Sequence, residues 1–398
     1  MVTRTKSLPT GERSGHDLSN VVAVAAEHAA EVDSGGRFPV EALAALRASG
    51  LMGLLVPVEH GGLGGGLTDL VEVAGELGGA CLSTSLIWTM HCQQVDVLVR
   101  HAQPELRERL LPRIAAGEVY LGSVTTESTV GGHLLTSESP LHAEQGHYRL
   151  TRRAPIVTGA AHADGFLIKM LASPEAAAQE VSMVYLDRAD LDIEVRGAWD
   201  TLGMRGVENL ELTLTGQVTD ERLIGGRGKF REIAVECMGP IAHLSWSASW
   251  LGATRKVWSA LLAHLRRPIS KIDLRDSLTA VRVARVRAKL EAVSAYLHTV
   301  RAEVERHRAQ GSSLGSPATQ IHLNTLKVLA AEECLAAATA MIQLAGLDTG
   351  YRRDSPVPLE RLLRDLTAAS LTYSDTRLLT ANGALSVLDP AVTLAGAN

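Results

Sequence analysis

At 398 residues and 46% apolar content, the chain can bury two or three connected modules and reads as a globular protein. Its formal charge of −5 and pI near 6.3 come from acids and bases mixed along the chain, so no basic stripe marks it for nucleic acid, and a small molecule is the expected partner. Cys81, Cys92, Cys237 and Cys334 lie far apart with no CxxC or Cys/His spacing, which argues against a disulfide framework and against zinc and fits buried thiols in a reducing cytoplasm.

The polar segment Met1 to Leu18 reads as a disordered tail without the apolar core of a signal peptide, and no uninterrupted apolar run of about 20 residues follows, so neither export nor a membrane span is expected. From residue 19 to 120 the pattern is helical: Val40, Leu43, Leu46 and Leu51 recur three to five apart. Phe38-Pro39 places a proline at a helix start, where its missing N–H is harmless. The glycine-rich stretch Val56 to Gly66 must be a tight turn.

From 121 to 224 the period becomes two. Leu210, Leu212 and Leu214 alternate with Glu211, Thr213 and Thr215, and short strands are expected at Tyr148 to Leu150, Phe166 to Met170 and Met183 to Leu186. Strands grouped between two helical regions imply an inserted antiparallel β module. From 225 to 398 the helical period returns. Val283, Val286, Leu290, Val293, Leu297 and Val300 describe one face of a long helix, and Pro317 opens another through Ala345, giving a bundle of four or five helices.

Four motifs stand in one order: Val56-Pro57-Val58-Glu59-His60-Gly61-Gly62, Val124-Thr125-Thr126-Glu127, Trp199-Asp200-Thr201-Leu202-Gly203-Met204-Arg205-Gly206, and Leu359-Glu360-Arg361-Leu362-Leu363-Arg364-Asp365. Together they resemble the acyl-CoA dehydrogenase superfamily of flavoproteins along nearly the whole chain. The resemblance implies an α+β fold with an N-terminal helical domain, a middle antiparallel β domain and a C-terminal four-helix-type bundle that forms a homodimer or homotetramer. It places a flavin, FAD or alternatively FMN, between the β domain and the bundle. By motif register, Thr125, Thr126, Gly132, Val157 and Thr158 are its expected contacts, while Gln343, Gly346 and Arg361 resemble the segment that reaches the FAD of a neighbouring subunit. Hydroxyls and backbone N–H groups there suit the polar edge of an isoalloxazine ring.

Relatives that oxidise acyl thioesters carry a Tyr-Glu-Gly-Thr stretch whose glutamate removes the α-proton. Here the stretch is Tyr373-Ser374-Asp375-Thr376. Aligning on its ends puts Ser374 at the glutamate position, whereas counting from Arg364-Asp365 puts Tyr373 there. The alternative base position on an earlier helix falls close to Ala242. Asp375 is the nearest carboxylate that an apolar cavity could tune, and equally a solvated helix-start residue. His91 and His243 both sit in apolar helical contexts, where a histidine is usually a satisfied core residue; His243, next to Ala242, is the second candidate base. Trp246, Trp250 and Trp258 share a helix face that suits a core or a subunit contact, and Trp246 could also shape the acyl pocket.

The leading expectation is therefore an FAD-dependent dehydrogenase acting on a thioester carried by CoA or an acyl carrier protein. The segment Pro155-Ile156-Val157-Thr158-Gly159-Ala160 and the missing glutamate favour an alternative, a monooxygenase supplied with reduced flavin by a reductase or other electron-transfer partner. A catalytically silent flavoprotein subunit is the third reading. No Gly-x-Gly-x-x-Gly dinucleotide motif is present.

Overall fold

The computed structural model describes residues 18–127, 133–268 and 272–392, so the expected tail lies outside it except for Leu18. Apolar residues at helical spacing build α1 (Leu18–Gly35), α2 (Val40–Ala48), α3 (Leu67–Ala80), α4 (Leu82–His101) and α5 (Pro104–Ala115). Pro39 is the N-cap of α2, and the glycine-rich stretch is the tight turn expected before α3. Gly61 and Gly64 take φ of 82° and 59°, and a Cβ on Gly62 would meet the Val56 carbonyl at 2.2 Å. Helix α4 is buried along most of its length, because it packs on α3, α7 and β1 at once.

The β module holds β1 (Leu121–Val124), β2 (His142–Glu144), β3 (His147–Thr158), β4 (Gly165–Leu171), β5 (Val181–Asp187), β6 (Leu191–Ala198), β7 (Asn209–Val218) and β8 (Leu223–Ile224). They form two four-stranded sheets, ordered β1-β4-β5-β8 and β2-β3-β7-β6. The expected antiparallel pairing is met except between β1 and β4, which run parallel. The chain leaves β1, builds β2 and β3 in the other sheet, and returns beside β1 in the same direction, which only a long crossover permits.

The bundle comprises α6 (Phe230–Ile233), a π-helical turn (Ala234–Met238), α7 (Gly239–Leu265), α8 (Ser277–Gln310), α9 (Pro317–Gly346), α10 (Leu359–Thr367) and α11 (Asp375–Leu388). On α8 the expected face is buried from Val286 through Val304, with Val283 half-buried. The segment Pro317–Tyr351 is apolar enough in composition to cross a bilayer, with a mean hydropathy of 1.4 over its best window, yet half of that window is buried inside the protein. Its apolarity is accounted for by packing against α7, α8, α10 and α11.

Candidate active site

A cavity of about 840 Å³ opens where the β module meets the bundle. One wall is polar: Ser123, Thr125 and Thr126 at the end of β1, Thr158 on β3 and Asn209 on β7. The facing wall is largely apolar, from Leu86 and Met90 on α4 and Ala242, His243 and Trp246 on α7. Trp199, Leu202 and Leu371 rim the mouth and are 51%, 67% and 75% exposed. The π-helical turn sets the start of α7 so that Gly239 also borders the cavity, a usual place for such an irregularity.

The polar wall is fixed from behind by a buried charge cluster. Glu127 is ion-paired with Arg152 and lies 3.6 Å from the Lys169 ammonium; both cations are fully buried. Arg152 also donates to the Thr126 carbonyl at 2.6 Å, and Lys169 to the Thr136 carbonyl at 2.6 Å. Burial works against the Glu127 charge, but Arg152 and Lys169 outweigh it and hold the carboxyl below its usual range. Burial lowers Lys169 to about 8. The cluster thus locks the backbone of the turn that carries Thr125 and Thr126. Sequence reasoning missed Arg152 and Lys169, although both carried a signal. Arg152 falls on the inward face of β3 between Leu150 and Ala154, and Lys169 interrupts the fully buried strand β4.

The hydroxyls expected at a ring are already partly used. Thr126 donates to the Ile156 carbonyl at 2.9 Å, and Thr158 donates to Asn209 Oδ1 at 2.8 Å. Each therefore turns lone pairs, not a proton, toward any ligand. Val157, also expected as a contact, is fully buried and does not line the cavity. Strand alternation explains this: Ile156 and Thr158 face the cavity and Val157 faces the core, with a bulge between Ala154 and Val157 setting the phase. Gly132 lies outside the described residues.

The region expected to hold the base is built from the turn between α10 and α11. Leu371, Thr372, Tyr373 and Ser374 line the cavity, and Tyr373 takes a φ of 51°, unusual for a residue with a Cβ. Asp375 does not line it. Its Oδ1 is bound by Lys327 Nζ at 2.6 Å, and the same ammonium, fully buried, donates to the Ala369 carbonyl at 2.8 Å. The expectation of a cavity base at Asp375 is corrected on position: the carboxylate stands off the cavity wall with one oxygen on Lys327, and burial outweighs that cation and raises the carboxyl. His243 borders the cavity, with its ring centroid 6.0 Å from that of Tyr373. Burial first, and the Lys327 charge second, lower its imidazole to about 3, so it is neutral and a poor proton acceptor at physiological pH. Among the described lining residues the only carboxylate is Asp200, at the mouth, 90% exposed and paired with Arg205 at 2.7 Å.

The residues expected to reach a second subunit stand apart from this cavity. Gln343 and Gly346 are exposed at the end of α9. Arg361 borders a smaller cavity of about 240 Å³ with Asp33 and Asp365. His91 is a satisfied core residue, and all four cysteines are free and buried. Among the described residues no group of three or more His, Cys, Asp or Glu could hold a metal.

Residues 20–118 match the acyl-CoA dehydrogenase N-terminal domain and residues 244–373 the acyl-CoA dehydrogenase C-terminal domain. Over 343 residues the chain is 25% identical to the probable acyl-CoA dehydrogenase FadE25 of Mycobacterium tuberculosis, spanning 85% of each protein. Its fold is similar to FMN-bound TdsC from Paenibacillus sp. A11-2, with a TM-score of 0.84 at 20% identity over 95% of this chain and 98% of that one. It is also similar to butyryl-CoA dehydrogenase from Megasphaera elsdenii, with a TM-score of 0.81 at 15% identity over 93% and 98%. With both domain models matched across more than half its length, the chain belongs to the acyl-CoA dehydrogenase family of oxidoreductases.

Proposed function

We propose that this chain is a flavin-dependent monooxygenase that receives reduced flavin from a separate reductase and hydroxylates carbon or nitrogen of an apolar small molecule. The observation that carries this is the absence of a free carboxylate on the described cavity wall. Abstraction of an α-proton from a thioester needs a base, and here Asp375 is tied to Lys327, His243 is held neutral near 3, and Tyr373 is kept protonated by burial.

The residues present fit a flavin. A flat ring with a polar edge matches a cavity whose one wall carries hydroxyl lone pairs and whose other wall is apolar. Thr125, Thr126 and Thr158 would hold the ring edge, with the Thr126 and Thr158 oxygens accepting from ring N–H groups. Gln343, Gly346 and Arg361 of a neighbouring copy would reach the nucleotide end if the cofactor is FAD. FMN complexed with TdsC makes the shorter cofactor the other option. Bound in its reduced form, the flavin supplies the electrons that reduce one atom of dioxygen to water while the other enters the substrate. The chain's own work is to orient the ring, exclude water with Leu86, Met90 and Trp246, and hold the proton that is consumed.

Dehydrogenation of an acyl thioester on CoA or a carrier protein is the second reading, favoured by the dehydrogenase relatives and by the motifs shared with them. Anaerobic mixing of flavin-loaded protein with an acyl-CoA panel separates the two. Bleaching of the oxidised flavin without any reductase would sink the monooxygenase reading. Hydroxylated product appearing only with reduced flavin and dioxygen supports it.

A further inference from the structure

The turn from Ala369 to Asp375 is clamped at both ends by one side chain. Lys327 Nζ binds the Ala369 carbonyl at 2.8 Å and Asp375 Oδ1 at 2.6 Å, and the ammonium sits 5.7 Å from the Trp250 ring centroid. A fully buried lysine is costly unless paired, so this clamp is held by the desolvation it would otherwise suffer. The stretch between the two anchors carries Tyr373 with its φ of 51°, a strained conformation that persists only where its surroundings impose it.

The Tyr373 hydroxyl has no hydrogen-bond partner among the described residues, and it is not among the sealed, unpartnered polar atoms. Tyr373 lines the cavity, and its ring stands 6.0 Å from that of His243, which lines it too. Arg377, one turn into α11, lines the same cavity, forms no ion pair among the described residues and favours the phenolate of Tyr373. A cation in the first turn of a helix is disfavoured by the helix dipole, and the one acid there, Asp375, is taken by Lys327. Burial outweighs Arg377 and keeps the Tyr373 hydroxyl protonated at rest, while the nearby cation steadies the phenolate left once the proton is given up. Its other neighbour, His243, is neutral.

We propose that Tyr373 is the proton donor of this site and that Lys327 is the positioning residue that holds its hydroxyl toward the reacting oxygen. The proposal rests on the monooxygenase reading. The bond between the two oxygen atoms breaks, one oxygen joins the substrate, and the other leaves as water after taking the proton from Tyr373 Oη. Two electrons and the second proton of that water come from the reduced flavin, and the phenolate beside Arg377 regains its proton from solvent at the mouth.

The test loads wild-type protein and Tyr373→Phe with reduced FMN, then mixes each with dioxygen and, as probes, indole, phenol or a primary alkylamine. FMN affinity, product, hydrogen peroxide and the pH profile of flavin reoxidation are followed. Tyr373→Phe should bind FMN within about twofold of wild type, form about a hundredfold less product, release hydrogen peroxide instead, and reoxidise with an altered pH profile. Equal product from wild type and variant overturns the role of Tyr373 while leaving the monooxygenase reading in place. Identical pH profiles overturn it whether or not a probe is hydroxylated. Bleaching of the wild type by an acyl thioester overturns the reading and the proposal together. The double variant Lys327→Met/Asp375→Leu removes both buried charges together, so that neither is left unpaired. It should bind FMN normally yet shift the reoxidation profile toward that of Tyr373→Phe, and an unshifted profile removes Lys327 from the positioning role.

Discussion

His91 and His243 are both buried on apolar helices, and local sequence does not separate them. The fold gives His91 two partners from distant segments. Its Nε2 donates to the Met52 carbonyl at 2.8 Å, and its Nδ1 accepts from the Leu121 amide at 3.1 Å. His243 borders the cavity and has no partner for Nδ1. A histidine with both nitrogens satisfied is a structural pin that ties the N-terminal helices to β1. One left incomplete beside a cavity belongs to a surface that is finished only by what binds there. The Glu127 and Lys327 clusters differ again: their charges are paired, yet Glu127 Oε2 and Asp375 Oδ2 are sealed in without a hydrogen bond.

The largest expected effect comes from breaking a buried ion pair. Lys327→Met leaves Asp375 buried without its cation and should cost about 3–5 kcal/mol of unfolding free energy, whereas the double variant with Asp375→Leu should recover most of it. Urea denaturation checks both. A single variant as stable as wild type would show that the buried pair contributes little.

His91→Leu comes next, at about 2–4 kcal/mol, because it strands the Met52 carbonyl and the Leu121 amide in the core. It should also change the acid response. The folded protein holds His91 at about 4, mainly by burial, against 6.5 for a free imidazole. The unfolded chain therefore takes up a proton first, and this contribution is present above pH 6.5 and lost as pH falls toward about 4, a change of about 3 kcal/mol. Asp365 opposes it. Burial raises its carboxyl to about 6, so its contribution is largest below the free value of 3.8 and is lost as pH rises through about 6. In His91→Leu, stability measured between pH 6.5 and 4 should decline less steeply than in wild type.

How far the sequence reached follows the same division. Periodicity gave the helices and the face of α8, because burial on one side leaves a repeat that is local in the chain. Motif register brought Thr125, Thr126, Thr158, His243 and Ser374 to one cavity. What it could not give was where each polar group spends its bonds. Asp375 and Lys327 are 48 residues apart, and Thr126 and Ile156 are 30 apart, and those pairings decide which side chains remain free. The parallel β1–β4 pair was hidden for a related reason: strand patterns report which face is buried, not which neighbour lies alongside.

A smaller effect is expected at Thr126, whose hydroxyl binds the half-buried Ile156 carbonyl at 2.9 Å. Thr126→Val should lose about 1 kcal/mol of stability and about tenfold in flavin affinity, so that it purifies folded but flavin-poor. Wild-type flavin occupancy in that variant would remove Thr126 from the site.

The smallest effect on stability, and the sharpest test of the contrast, belongs to His243→Leu. Local sequence makes it the counterpart of His91→Leu, and a buried imidazole replaced by an isobutyl group would ordinarily be costly. Here the substitution gives up one bond to the Leu323 backbone, where His91→Leu gives up two, and it removes an unpartnered Nδ1 on an imidazole whose charged form is held down to about 3 by burial and by Lys327. The desolvation relieved should offset most of the packing lost, leaving stability within about 1 kcal/mol of wild type. Its consequence should fall on the cavity, where the ring packs 6.0 Å from Tyr373, so flavin or substrate binding should change while the urea midpoint barely moves. If His243→Leu instead unfolds as readily as His91→Leu with ligand binding untouched, the two histidines do the same job and the division between closed and open polar groups does not hold on α7.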